Sequence, residues 1–523
     1  MRLDRRLGMV WRNFGGWTAA ALTAAALLAC GGDDGAAGGS PGTGAAAGSA
    51  GTAGTATGGA GNSGGAGNSG GASSGGASSG GVSGGGSGGA ATGGSAGVGG
   101  CDPNSVVTGA LYVAPGDPGA SDSNDGRLVS EGGSGPWMTI NHGIFNLKAG
   151  DTLYIRGGNY VAKYPMYVRS DYTNKSKGGD PSVEMKSQSG TAAAPVNVRG
   201  YPCEPVMVDL KAVGSWLELD DKSYWNFSDL QFKNAAAVFV IGEDSANSTH
   251  NSMRNIQVEH DRGGDNLGAF HVMNSNGEHT TIENCRIVGA EAKGTQVHQN
   301  TNGIFARVVE NLVVRNVEVS FVPIGIYFKH ANPGAGTNIT IENNFIHDTS
   351  RNAMQINAKK ALIANNIFGA NNQPVLSSEA NGITGGDDNS YLHNTFFKTG
   401  LALTADNQGN ETDPGSLRNI VRDNLFFGSK IVIHEYSTLP HQTQSDYNVF
   451  DAAQPVREFG VDYALSAWTA KSGQDANSAV GVITFQGGAS PTTPAGFRLT
   501  GAGVGAASDG KDAGANVSTV GYK

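Results

Sequence analysis

The stretch Asn338–Asn366, NITIENNFIHDTSRNAMQINAKKALIANN, decides the fold. Ile339 and Ile341 alternate with Thr340 and Glu342, the period-2 pattern of a strand with one buried face. Asn343-Asn344 interrupts it, and a second short strand, Phe345-Ile346-His347, follows. The turn Ser350-Arg351-Asn352 leads into a third alternating segment, Ala353-Met354-Gln355-Ile356-Asn357. Lys359-Lys360 turns the chain again, and Ala361-Leu362-Ile363 restarts the pattern, ending on Asn365-Asn366. The stretch therefore reads as one coil of three short strands.

The coil recurs. Its mark is a branched or aromatic residue, one polar residue, then Asn or Asp. Copies are Phe227-Ser228-Asp229, Met253-Arg254-Asn255, Ile282-Glu283-Asn284 and Val314-Arg315-Asn316. They continue as Ile341-Glu342-Asn343, Ile363-Ala364-Asn365, Leu392-His393-Asn394 and Val421-Arg422-Asp423, with a weaker copy at Gln444-Ser445-Asp446. The repeat is about 27 residues, inside the range of solenoids. Three strands per repeat with no helix between them predict an all-β fold, a parallel β-helix, and crossover chirality makes it right-handed. Asn suits the marked position because it tolerates left-handed backbone angles and can hydrogen-bond along a stack. Asn344, Asn366 and Asn424 form a second candidate column one residue later.

The chain is 523 residues long, and its first part is not fold. Arg2, Arg5, Arg6 and Arg12 precede an apolar run from Trp17 to Ala29, too short to span a bilayer and fit for a signal peptide. The run ends Leu27-Leu28-Ala29-Cys30, which resembles a bacterial lipoprotein signal. That resemblance implies lipidation of Cys30 and a membrane contact through lipid alone, at the outer membrane or cell surface; an ordinary signal peptide and a secreted protein are the alternative. Residues 31–100 are built of Gly, Ser and Ala and cannot bury a core. As a random coil this linker spans on the order of 45 Å, a reach suited to a bulky partner such as a polysaccharide. Residues 101–523 are left for the β-helix domain, with repeats over about 195–450 and a C-terminal cap over 451–523. The net charge is −10, and removal of residues 1–29, with four Arg and Asp4, takes it to about −13. An acidic surface argues against nucleic acid as a partner. The expected state is a monomer. Cys101 and Cys203 are candidates for a disulfide in an oxidising envelope. Cys285 occupies the place of Leu230, Ile256 and Val317 in neighbouring repeats, so it reads as a buried thiol.

The domain opens with Leu111-Tyr112-Val113, a Gly/Asp/Ser loop, and a short capping helix from Ile140 to Lys148 with Thr139 as its cap. Then come Gly150-Asp151-Thr152-Leu153-Tyr154-Ile155 and Gly157-Gly158-Asn159-Tyr160. This order, together with Leu465-Ser466-Ala467-Trp468 and Phe497-Arg498-Leu499 near the end, resembles the pectate-lyase-like β-helix superfamily. The resemblance covers about residues 110–523 and speaks to fold more than activity, since lyases, hydrolases, epimerases and adhesins share the scaffold.

In enzymes of that superfamily the strand after the Ser350-type turn lines the substrate groove. Its copies here are Ala269–Met273, Gly303–Arg307, Gly325–Lys329, Ala353–Asn357 and Gly382–Gly386. Alternation puts Ile304, Ile326, Met354 and Ile383 inside, and His271, Phe305, Tyr327 and Gln355 outside. Met273, Arg307, Lys329 and Asn357 form a second outer column. Arg307 and Lys329 are then neighbours about 4.8 Å apart. Uronate lyases take the proton α to a carboxylate and expel the 4-oxygen, which needs a base and cations for the enolate-like charge. A guanidinium beside an amine favours the neutral amine. Lys329 is the candidate base and Arg307 the carboxylate ligand. Tyr327 or His271 is the donor to the leaving oxygen, and Phe305, Gln355, Asn357 and His330 contact sugar. Asp261, Asp265 and Glu291, in the long turns before this strand, are candidates for a Ca²⁺ site.

Family motifs are incomplete. Family-nine pectate lyases carry Asp-Gly-Phe-x-x-Lys; here Asn302-Gly303-Ile304-Phe305-Ala306-Arg307 has Asn for Asp and Arg for Lys. The polygalacturonase Asn-Thr-Asp-Gly becomes Asn300-Thr301-Asn302-Gly303, and the Asp-Pro-His of mannuronan epimerases is absent. The leading expectation is a polysaccharide lyase on uronate glycans. The alternatives are a surface adhesin that uses the aromatic strip for binding, and a glycoside hydrolase, which needs a pair of carboxylates.

Overall fold

The computed structural model describes residues 107–523 except 170–178, 180–183, 212, 243–247, 274–277, 330–335, 370–374, 381–385, 407–415 and 434–441. The backbone of 376–380 and 404–406 is described without side chains. All described residues belong to the unit Gly94–Lys523.

Among the described residues the three short strands of each coil segregate into three sheets of twelve strands each, one of which ends on an antiparallel strand, Val461–Tyr463. In the coil of the opening stretch the strands are Thr340–Glu342, Phe345–His347 and Met354–Ile356, followed by Leu362–Ala364. Each lies parallel to its counterpart one coil away, as Ile341 pairs with Ile363 and Ile346 with Phe368. The protein is thus a parallel β-helix. We call the three sheets first, second and third, in the order in which this coil visits them. They extend from Leu111–Val113 to Ala479–Val480, beyond the span of the readable repeats. The helix Ile140–Phe145 closes the N-terminal end, its cap Thr139 accepting the His142 N–H at 3.2 Å. At the other end the helix Leu465–Ser472 buries Trp468, whose indole N–H donates to Asp475 at 3.0 Å. Among the described residues no helix is long and apolar enough to cross a membrane.

The interior is a stack of like on like. Phe368, Phe396, Phe426 and Phe450 pile ring on ring at 5.3, 4.6 and 5.0 Å, each pair adding about 1 kcal/mol beyond area burial. Both Asn columns exist, with different work. Asn255, Asn284, Asn316, Asn343 and Asn365 hold left-handed backbone at φ between 50° and 60°. Asn344, Asn366, Asn394, Asn424 and Asn448 are fully buried. The side-chain amides of Asn344, Asn366, Asn394 and Asn424 each donate to the next Asn Oδ1 at 3.0 or 3.1 Å, and that oxygen also accepts the preceding Asn backbone N–H. Two repeat copies therefore shift by one residue. Leu392 pairs with Arg422, so His393 takes the left-handed position and Asn394 belongs to the buried ladder. Arg422 pairs with Asp446, so Tyr447 and not Asp446 takes that position in the next coil. The copy at Gly382–Gly386 also fails: the third-sheet strand of that coil is Val375–Ala380, with Leu376 opposite Gln355.

Residues after 480 do more than cap an end. Gly481 leaves the last coil by bonding Phe450 O at 2.9 Å, and the chain then runs back along the outside of the second sheet. Its Ile483, Phe485, Phe497, Ala513 and Val520 cluster with outward residues of that sheet, among them Phe345, Phe397 and Leu425. Further on it fastens to the left-handed Asn column. Asn516 N–H donates to Asn365, Thr519 Oγ1 to Asn343, and Asn316 to Thr519 O. Lys523 N–H reaches Asn284 at 2.7 Å, and the Tyr522 hydroxyl accepts from Gln257 at 3.0 Å.

Candidate functional site

The third sheet positions the site. Ile304, Ala306, Ile326 and Phe328 belong to the core, so Phe305, Arg307, Tyr327 and Lys329 leave by the opposite face. The register is as expected: His271 opposite Phe305, Phe305 opposite Tyr327, Tyr327 opposite Gln355, and Met273–Arg307–Lys329 in line. Arg307 and Lys329 are adjacent on one wall. Lys329 Nζ donates to Asn266 Oδ1 at 3.0 Å, a tie to the turn before an earlier strand. Arg307 Nε is buried with no acceptor among the described residues.

The aromatic part of the strip is less accessible than alternation implied. His271 is 8% exposed and Phe305 2%. His271 meets the Phe305 ring edge-on at 4.6 Å, and Phe305 meets Tyr327 at 5.6 Å. Burial, with Arg307 as the lesser cause, pushes the His271 imidazole down to about 4. Its Nε2 lies against Met273 Sδ, and its Nδ1 has no partner. The imidazole is thus neutral and largely covered by its neighbours. Asn357, expected beside sugar, is also buried. Tyr327, Gln355, Arg307 and Lys329 remain partly exposed. His330, Cys30 and Cys101 lie outside the described residues. Cys203 is disulfide-bonded, and Cys285 is the buried free thiol expected, pushed up to about 12 by burial.

The acidic turns serve as braces. Asp261 takes the Lys293 ammonium at 2.9 and 3.1 Å. Asp265 accepts from Asn300 at 2.8 Å, and Glu291 accepts from Ser350 Oγ at 2.7 Å. Among the described residues no three His, Cys, Asp or Glu side chains converge, those of Asp261, Asp265 and Glu291 included. Sequence reasoning missed two supporting residues. Asn266 follows the acidic turn directly, but no spacing ties it to Lys329. Arg351, read as a turn residue, donates to Gln299 O at 3.1 Å and Asn300 Oδ1 at 2.9 Å, pinning the long turn that precedes Thr301–Arg307. Elsewhere, a cavity of about 770 Å³ lies beside Arg156 and Glu204. Those two charges pair with each other at 2.6 and 2.8 Å, closing their own account.

The chain is a parallel β-helix, and part of it is similar to a pectate lyase. It is 26% identical over 159 residues to pectate lyase PEL9 of Emericella nidulans, a match covering 28% of this chain and 32% of that protein. The matched stretch is thus about a third of the relative's length. Among solved structures, pectate lyase Pel9A aligns with a TM-score of 0.40 and 14% identity, covering 63% of this chain and 80% of that one. PfbA, a surface adhesin of Streptococcus pneumoniae, aligns with a TM-score of 0.36 and 10% identity, covering 67% and 91%. No family model matches the chain.

Proposed function

We propose that this protein binds an acidic polysaccharide along the third sheet and cleaves it by β-elimination. The observation that carries the reading is the adjacent pair Arg307 and Lys329, with Lys329 oriented by Asn266. Arg307 binds the uronate carboxylate and stabilises the charge that develops on it. Lys329, as the amine, takes the proton α to that carboxylate. The C–H electrons form the new double bond, the 4-oxygen departs, and Tyr327 gives it a proton. In the same reading Cys30 is lipidated, and residues 31–100 tether the domain to the envelope.

The test is incubation with uronan substrates. Elimination generates a conjugated double bond that absorbs in the ultraviolet. New reducing ends without that absorbance make the protein a hydrolase, and binding without either makes it an adhesin. For the address, Cys30→Ala should move the protein from the membrane to the soluble fraction; no change on fractionation removes the anchor.

A further inference from the structure

Among the described residues of the third-sheet strands from Leu267–Met273 to Met354–Ile356, one step is cationic. Met273 stands beside Arg307 on one side, and the register puts Asn357 beside Lys329 on the other. Cations on the flanking turns are engaged elsewhere. Arg262 donates to Lys211 O, Lys293 sits between Glu259 and Asp261, and Arg351 holds Gln299 and Asn300. Lys359 and Lys360 in the following turn face Asp387 and Asp388. Segments 243–247, 274–277, 330–335, 370–374, 381–385, 407–415 and 434–441 contain no Lys or Arg; Lys175 and Lys177 belong to 170–178, which follows Met166–Val168, four strands along the third sheet from Thr301–Arg307. The chain as a whole carries −10.

We infer that the site takes a mixed glycan, a lone uronate flanked by uncharged sugars, and discriminates against homopolyuronans. The inference rests on the reading of Arg307 and Lys329 as a carboxylate site. One step of the stack, about 4.8 Å, accommodates one carboxylate between the two cations. A homopolyuronan brings a carboxylate on every sugar. Its next charges meet Met273 and Asn357, and each is desolvated without a counter-ion, which is unfavourable. A neutral neighbour carries no such cost and can lie over Tyr327 and Gln355. The partly exposed Arg307 guanidinium supplies the donor for the single carboxylate.

The experiment measures affinity of the full chain, at one ionic strength, for three probes. They are polygalacturonate, a glycan alternating uronate with neutral sugar, and the carboxyl-reduced form of that second glycan. The alternating glycan should bind at least about tenfold tighter than either of the others. Arg307→Gln should bind the alternating glycan and its reduced form equally. Polygalacturonate binding as tightly, the reduced glycan binding as tightly, or no binding of any probe overturns the inference. Absorbance is read separately. Preferential binding without unsaturated product keeps the specificity and removes the elimination, whereas faster elimination on polygalacturonate does the reverse.

Discussion

Lys329 Nζ lies 3.0 Å from Oδ1 of Asn266, a residue 63 positions earlier in the chain. The solenoid brings them together, because a turn from one coil reaches over a strand two coils on. The contact fixes an otherwise flexible amine at the edge of the groove.

Lys329→Ala should therefore lower elimination activity by roughly 10²–10⁴, the usual worth of a positioned general base. Asn266→Ala should cost less, mainly in kcat, because the base remains but loses its orientation. The Lys329 side chain is outside the core, so the melting temperature of Lys329→Ala should hold, whereas Asn266→Ala places Ala at φ 54° and should also cost about 1–2 kcal/mol of stability. Full activity in Lys329→Ala would end the proposed mechanism.

Acid should destabilise the fold well above the carboxylate range. Burial pushes His260 and His271 from 6.5 down to about 4. Between those values the unfolded chain binds protons that the folded chain refuses. Stability is thus intact above about pH 6.5 and falls as pH drops toward 4, by roughly 3 kcal/mol per histidine. Thermal melts across this window should show the decline. His271→Phe, set among Met273 and Phe305, should reduce its slope by about half; an unchanged slope would mean His271 is solvated.

The two Asn columns should respond differently to alanine. Asn394→Ala strands the Asn366 backbone N–H and amide and the Ile363 carbonyl, all buried, and should cost about 3–5 kcal/mol. Asn365→Ala keeps the interior intact but places Ala at φ 56°, costing about 1–2 kcal/mol. Denaturant titration ranks them, and equal losses would contradict the division of labour.

Ending the chain at residue 480 should uncover Phe345, Ile367, Phe397, Leu425 and Val449. The shortened protein should bind an apolar dye and self-associate while keeping its β spectrum. A monomer with no dye binding would show that this covering is dispensable.

Strands were legible in the sequence because alternation with period 2 is local. Phe345–His347 was read to the residue, and the register of Arg307 with Lys329 followed from it. The shift at His393 arose because two Asn columns lie side by side, and composition does not say which Asn turns and which is buried. Alternation assigned His271 and Phe305 to the outer face correctly, yet it carries no information on what covers them. Asn266 and Arg351 act through contacts between coils, which only the stacked geometry reveals. Residues 481–523 are Gly-rich and aperiodic, and their partners lie up to 265 positions away, so no pattern announced where they go.

That returning segment sets the order in which the molecule can be finished. Tyr522 and Lys523 close against Gln257 and Asn284, which leave the ribosome, and enter any export channel, long before them. The flank of the earliest repeats stays unsealed until the final residues arrive. A chain truncated in synthesis or stalled in transit is therefore marked by bare apolar surface, a difference that quality-control proteases can read.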